Sequence, residues 1–274
     1  MTIWQAFILG IVQGITEFLP ISSSGHLVIT PYLLGWSINK EYIFTFDVLV
    51  QMGTLIAVII YFWNYLWKIF GSVIKGAIEK KPLGTQEAKI GWLIVLATIP
   101  AVIGGLFLED LVESAFHSVQ ITAVFLLVTA LLLSVSERLS NQTDKMENLS
   151  AIDAFIIGCF QILAIFPGLS RSGSTIAGGI LRNLNREEAA KFSFLMSIPV
   201  MLGAGVMSIN DLLEVPNLAE FLPVLLVGFI TSGVVGFISI HWLLKFLNKN
   251  KLGLFSVYCV VVSIVTLAIT FIRG

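Results

Sequence analysis

The sequence predicts an all-α integral membrane protein of six transmembrane helices plus two re-entrant helical hairpins, arranged as an inverted-topology repeat. Three observations lead there. The 274 residues are 57% hydrophobic and 12% charged, with a mean hydropathy of +0.94, whereas soluble domains carry about 25% charged residues. The apolar runs are roughly 20 residues long, the length a helix needs to cross a bilayer, and they lack the alternation of a barrel strand. Two further long apolar segments are broken in the middle by Pro, Gly and Ser. Non-helical backbone at membrane depth is tolerated only where protein or a polar cavity surrounds it.

In chain order, the first broken segment covers about 4–36 and reads as a helix-break-helix hairpin that enters and leaves on one side. The N-terminus lacks a basic n-region and a small-residue cleavage site, so it is read as part of this hairpin, not as a removed signal peptide. Full spans follow at about 46–66, 91–107 and 120–136. The second broken segment covers about 152–181, and spans follow at about 192–209, 221–243 and 253–272. Positive charge orients them. Lys68, Lys75, Lys80, Lys81 and Lys89 fall between the first two spans. Arg138 and Lys145 follow the third, Arg182, Arg186 and Lys191 follow the second hairpin, and Lys245, Lys249 and Lys251 precede the last span. That puts 13 of 16 basic residues on one side, taken as cytoplasmic. The opposite connections carry Glu109, Asp110, Glu113, Asp211, Glu214 and Glu220. The first hairpin then opens outward, the second inward, and both termini lie outside.

The two hairpins align. Phe7, Gly10 and Gln13 match Phe155, Gly158 and Gln161 at an offset of 148. After a one-residue slip at Pro20 and Pro167, Ser22, Ser24 and Gly25 match Ser170, Ser172 and Gly173 at the same offset. Each half is one hairpin plus three spans, about 1–140 and 150–274, within a single transmembrane domain. An odd number of spans inverts the second copy, as in transporters whose site lies between repeats near mid-membrane. A net charge of -1 gives no sign of nucleic-acid binding, and Cys159 and Cys259 lie in apolar runs, so no disulfide framework is expected.

Two stretches carry the chemistry. Gln13 to His26 reads Q-G-I-T-E-F-L-P-I-S-S-S-G-H, and Pro167 to Thr175 reads P-G-L-S-R-S-G-S-T. Ionisable groups inside a membrane are expensive and mark functional sites. Ser22, Ser23, Ser24 and Gly25 sit at the break before a helix, as do Ser170, Ser172 and Gly173. Two half-helix N-termini aimed at one cavity make an anion site. Arg171 adds a planar fork matched to phosphate oxygens. Glu17 is suited to hold a divalent metal, Mg2+ or Ca2+, that bridges phosphate oxygens, with Gln13 assisting. His26 can move a proton near neutral pH, and Ser23 can attack phosphorus if a base activates it. Thr175 belongs to the same polar stretch, and Gln51 and Thr54 are candidates to line the cavity from the next span. Plainer roles exist for each residue singly. Membrane serines return hydrogen bonds to backbone, Pro with Gly kinks helices, and a lone histidine usually packs. His117 and His241 are assigned such roles. The concentration of polar groups in two short segments argues against that reading for the whole set.

The two motifs resemble those of the bacterial undecaprenyl-diphosphate phosphatase family of the bacitracin-resistance type. That family carries (E/Q)-x-x-x-E before S-S-x-G-H, then P-G-x-S-R-S-x-x-T. Here these are Gln13 and Glu17; Ser22, Ser23, Gly25 and His26; and Pro167, Gly168, Ser170, Arg171, Ser172 and Thr175. The resemblance covers the full length. It implies a metal-dependent hydrolase of the bacterial inner membrane that takes undecaprenyl diphosphate to undecaprenyl phosphate and inorganic phosphate, recycling the carrier lipid of cell-wall synthesis. Position 13 is Gln, so the first motif supplies one carboxylate instead of two. S-G-H also occurs in type-2 phosphatidic acid phosphatases, but their downstream His and Asp are missing after Arg171.

A transporter or flippase for an isoprenoid phosphate or small anion is the competing class, favoured by the repeat; a structural assembly protein is a third. The density of nucleophile and acid–base candidates favours the enzyme. Expected partners are the lipid substrate and the bilayer, with a homodimer left open. Three nucleophiles remain: Ser23 activated by His26 or Glu17, from the N-cap of its helix and on one face with His26; His26 itself; or metal-bound water.

Overall fold

The computed structural model describes residues 1–38, 40–116, 118–207 and 218–273, without the side chains of 40–45 and 108–116. Among the described residues eleven α-helices form and no strand does. They are α1 (Ile3–Thr16), α2 (Ser23–Leu33), α3 (Lys40–Tyr61), α4 (Trp63–Ile78), α5 (Gln86–Phe116), α6 (Val119–Leu139), α7 (Ala151–Leu163), α8 (Arg171–Leu181), α9 (Arg186–Met207), α10 (Leu218–Leu247) and α11 (Gly253–Arg273). Five helices, α5, α6, α9, α10 and α11, are long and apolar enough to cross a membrane, and six crossings result if α3 and α4 count as one bent span.

Both broken segments are helix-break-helix units. α1 starts on a capping box of Thr2 with Gln5, and α7 on one of Ser150 with Asp153. Such caps satisfy backbone N–H groups that have no partner inside the helix. The second helix of each unit is capped by a serine, Ser22 or Ser170, that accepts the backbone N–H of Gly25 or Gly173. The boundaries repeat the 148-residue offset: Ile3 with Ala151, Ser23 with Arg171, Leu33 with Leu181.

Polar contacts gather one set of helix ends. Arg182 Nε donates to Asp153 Oδ1 at 2.6 Å, joining the end of α8 to the start of α7. Arg186 pairs with Glu137 at 2.7 Å, joining α9 to the end of α6, and Leu252 N donates to the same carboxylate at 2.9 Å just before α11. Asn248 after α10 reaches Glu187, and Lys89 in α5 reaches the Glu147 carbonyl. A bridge between Asp144 and Leu184 ties the second hairpin's exit to this group. At the other end of the bundle, Arg273 of α11 donates to the carbonyls of Tyr32 and Leu33. Ala6 and Leu9 of α1 pack there with Leu27 of α2 and with Phe221 and Leu225 of α10. The first hairpin therefore opens at the end opposite the second.

One expected boundary is corrected. The span at 46–66 and the connection at 67–90 give way to α3, a 77° bend at Phe62, and α4. Neither Gly nor Pro marks the bend. The apolar residues of α4 are divided between two faces, so it lacks the uniform apolarity of a span. The side chains of Glu109, Asp110, Glu113, Asp211 and Glu214, together with His117, lie outside the described residues.

The hairpins seat by close backbone approach. A Cβ at Gly10 would lie 2.8 Å from the Gly228 carbonyl of α10, and one at Gly158 would collide with the Ala97 carbonyl of α5. These are the glycines matched by the offset. Replacing either with Leu should therefore lower thermal stability in detergent, by about 1–3 kcal/mol from overpacking, while Gly105→Leu, where a Cβ meets open space, leaves the melting temperature near that of the unmodified protein.

Candidate active site

The two hairpin breaks meet inside the bundle. Ser22 adopts φ 72° and ψ 98°, a region unfavourable for a residue with a Cβ and kept only where surroundings enforce it. Here they do. Its Oγ accepts the N–H of Gly25 at 3.2 Å and, across the junction, that of Gly168 at 3.1 Å. Its carbonyl lies 2.7 Å from His26 Nδ1. Gly25 permits this proximity, since a Cβ there would lie 3.1 Å from Gly168 Cα. A second link runs from Ser172 Oγ to the Leu19 carbonyl at 2.9 Å. From α6, buried Thr129 donates to the Gly168 carbonyl at 2.9 Å and accepts the Ser170 N–H at 3.0 Å, fixing the second break.

The charges lie at this junction. Glu17 is buried, and its Oε1 accepts from Arg171 Nη2 across the two hairpins. Its Oε2 accepts from Gln13 Nε2 at 2.8 Å and from Ser23 Oγ at 2.6 Å. Thr175 Oγ1 donates to the Arg171 carbonyl at 2.7 Å and lies 2.6 Å from Ser193 Oγ of α9. Ser24 Oγ is 3.4 Å from Ser22 Oγ, and Ser172 Oγ is 3.2 Å from Ser170 Oγ. α2 and α8 both begin here, so two helix N-termini lie beside a carboxylate, a guanidinium and several hydroxyls, and helix N-termini favour anions.

Most sequence candidates fall in this cluster: Gln13, Glu17, Ser22, Ser23, Ser24, Gly25, His26, Ser170, Arg171, Ser172, Gly173 and Thr175. Gln51 does not; its half-buried side chain makes no hydrogen bond to either hairpin among the described residues. The helix cap is Ser22, with Ser23 the first helical residue, so the expected N-cap role of Ser23 is corrected. Ser23 bonds Glu17, not His26. Because the Ser22 carbonyl can only accept, His26 Nδ1 carries a proton. Nε2 then faces the Tyr258 hydroxyl of α11 at 2.8 Å, with the two rings stacked at 5.6 Å. Sequence reasoning missed Tyr258, Thr129 and Ser193. Each is one of several Ser, Thr or Tyr residues scattered along an apolar span outside the two motifs, and only Tyr258 stands out there, as the sole tyrosine of α11.

A family model described as bacitracin resistance protein BacA matches residues 6–265. The chain belongs to this family. It is 42% identical to a protein of Methanosphaera stadtmanae named undecaprenyl-diphosphatase, covering 98% of this chain and 99% of that one. A Chlorobium limicola protein of the same name is 44% identical over 94% and 93% of the two chains. One from Caldicellulosiruptor bescii is 40% identical over the whole of both.

One acceptor at the junction is open to a cation: Gln13 Oε1 is buried with no donor among the described residues, beside the Glu17 carboxylate. Among the described residues no group of three or more His, Cys, Asp or Glu side chains comes together. Such a cation would take most of its shell from phosphate oxygens and water, as Mg2+ commonly does.

Tyr258→Phe removes the hydroxyl facing His26 and leaves the ring stack. Stability should fall by the roughly 1 kcal/mol that one net hydrogen bond is worth, read as a lower melting temperature, and turnover should fall about three- to tenfold if the same bond positions His26 by that amount. Unaltered kinetics in this variant would separate His26 from catalysis.

Proposed function

We propose that this protein is an intramembrane phosphatase that removes the terminal phosphate of undecaprenyl diphosphate, giving undecaprenyl phosphate and inorganic phosphate. It thereby recycles the cell-wall carrier lipid. The observation that carries the chemistry is the short Ser23–Glu17 hydrogen bond at the point where Arg171 enters. The relatives' shared name supports the phosphatase over the transporter reading.

Arg171, the first turns of α2 and α8, and the hydroxyls of Ser24, Ser170 and Ser172 bind the diphosphate. As phosphate oxygens engage the guanidinium, Glu17 Oε2 takes the Ser23 proton. Ser23 Oγ attacks the terminal phosphorus, and the bond to the bridging oxygen breaks, releasing undecaprenyl phosphate. Arg171 stabilises the charge that develops. Glu17 passes the Ser23 proton to the departing undecaprenyl phosphate; water then attacks the phosphoserine, Glu17 takes a proton from the water and returns it to Ser23 Oγ, and inorganic phosphate leaves. His26 and Tyr258 hold Ser22 and thereby position the break. Direct attack by His26 is disfavoured because both ring nitrogens are engaged. Mg2+ or Ca2+, held by Glu17 and Gln13 Oε1, would supply charge neutralisation at the phosphate oxygens.

In the membrane, the opposed open ends of the hairpins and the repeated boundaries support six spans plus two re-entrant hairpins as an inverted repeat. The site then opens to the outer side of the cytoplasmic membrane. Cysteines at Lys80 and Lys145 should label with an impermeant reagent from the cytoplasmic face, and cysteines at Glu113 and Asp211 from the other. Labelling of all four from one face sinks this arrangement.

Catalysis is tested with purified protein and a long-chain prenyl diphosphate. Ser23→Ala should abolish an acid-stable, base-labile phosphoenzyme and lower kcat by about 10^3-fold or more, as for lost nucleophiles. An acid-labile adduct surviving in Ser23→Ala points to His26 instead. Arg171→Lys keeps the charge, loses the fork and should lose most activity. Glu17→Ala should remove metal stimulation along with turnover; retained stimulation moves the metal elsewhere.

A further inference from the structure

α4 is the element that hydropathy alone does not reveal, and it presents three distinct faces. Ile69 is buried against α5, where a Cβ at Gly91 would meet Val73 and Ile69 side chains at 2.7 and 2.9 Å, and Gly76 is buried under Lys81 and Pro82 just after the helix. Trp63, Trp67, Phe70, Ile74 and Ile78 form an exposed stripe at helical spacing, between 43% and 76% accessible. Trp63 and Trp67 lie 5.7 Å apart, and Trp67 stacks on Phe70 at 5.6 Å, so the stripe is a continuous apolar ridge. Exposed Lys68 and Lys75 occupy the next stripe round, and exposed Lys80 and Lys81 follow the helix. A groove of about 410 Å3 runs along the ridge, lined by Trp67, Phe70, Gly71 and Ile74, with Lys75 beside it.

The direction of α4 says what covers this ridge. α3 packs closely on α10, a helix long and apolar enough to cross a membrane, and α4 leaves α3 at 77°; with α3 running alongside α10, α4 lies close to the membrane plane. Five large apolar side chains in contact with water would be costly. Tryptophan and lysine side by side are the composition of the headgroup boundary, where an indole sits among upper acyl segments and an ammonium meets phosphate. Charge selects among lipids. Within 63–81 four lysines face one acid, Glu79, which lies 3.8 Å from Lys75.

We propose that α4 is an interfacial helix that docks on anionic phospholipid. It seats the Trp63–Ile78 ridge among acyl chains and presents Lys68, Lys75, Lys80 and Lys81 to headgroup phosphates on the lysine-rich side of the protein. The inference does not depend on the phosphatase reading, since α4 shares no residue with the candidate active site.

The test places a nitroxide at Ile74→Cys or Lys75→Cys in full-length protein lacking its native thiols (Cys159→Ala, Cys259→Ala), in nanodiscs of zwitterionic lipid with and without phosphatidylglycerol. Both positions are exposed, so labelling leaves the packing intact. The expected result has position 74 relaxed mainly by oxygen and position 75 mainly by an aqueous nickel reagent. Phosphatidylglycerol should shift position 74 deeper, and combined Lys→Gln replacement at 68, 80 and 81 should remove most of that shift. A water-exposed label at 74 in both lipids overturns the proposal. So does a label at 74 shielded from both reagents with a short label-to-label distance, which would make the ridge a contact between copies. Lipid burial that ignores lipid charge, or persists unchanged in the lysine variant, overturns the anionic selectivity.

Discussion

The ion pair between Glu17 and Arg171 is the constraint on which the arrangement depends. Neither charge has water to fall back on: the side chains are 5% and 17% exposed. An unpaired buried charge costs several kcal/mol, so removing one partner is strongly destabilising even where the pair itself contributes little. The pair therefore fixes distance. Glu17 ends the first half-helix and Arg171 begins the last of the four, so their contact requires both breaks at one depth. The Ser22–Gly168 and Ser172–Leu19 hydrogen bonds then satisfy the backbone that the breaks expose.

A shared frame carries unlike chemistry in its two halves. At the 148-residue offset, Gln13 faces Gln161 in the alignment, and Ser22 faces Ser170. Glu17 corresponds to Ile165, Ser23 to Arg171, and His26 to Ser174. One half thus keeps the carboxylate, its hydroxyl partner Ser23 and the imidazole, while the other supplies the guanidinium. The amide of Gln161 and the hydroxyl of Ser174 are buried without partners among the described residues, whereas Gln13 Nε2 and His26 are bonded. The repeat brings two helix N-termini together; the divergence of its halves pairs a carboxylate with a guanidinium across the junction. An exact repeat would set like charges against each other at the same point.

The parts of this structure written in local sequence were legible. Caps, breaks and glycines act within a few residues of themselves, so Ser22, Gly25, Ser170 and Gly173 identify half-helix starts without any tertiary information. Glu17 and Arg171 are conspicuous because ionisable groups are rare in apolar segments. Other features depend on packing. α4 mixes tryptophan and isoleucine with lysine, so averaged hydropathy cannot distinguish a helix lying flat from a loop, and Phe62 carries no signal of a 77° turn. Thr129 and Tyr258 are each one among several hydroxyl-bearing residues in apolar spans, and their roles arise only when α6 and α11 close around the hairpins. For the partner of Ser23 the sequence leaves two candidates, His26 and Glu17. Helical spacing puts His26 on its face, yet the carboxylate six residues earlier reaches it first, because the break folds α1 back toward the start of α2.

That fold-back couples binding to activation. In the proposed mechanism Glu17 first accepts from Arg171 through Oε1 and from Ser23 and Gln13 through Oε2. A diphosphate offers the guanidinium a competing anion of higher charge and matched bidentate geometry. Each phosphate oxygen that takes a guanidinium N–H loosens the contact between Arg171 and Glu17. In that mechanism the same carboxylate holds the hairpins together and, as substrate draws Arg171 away, becomes available to Ser23.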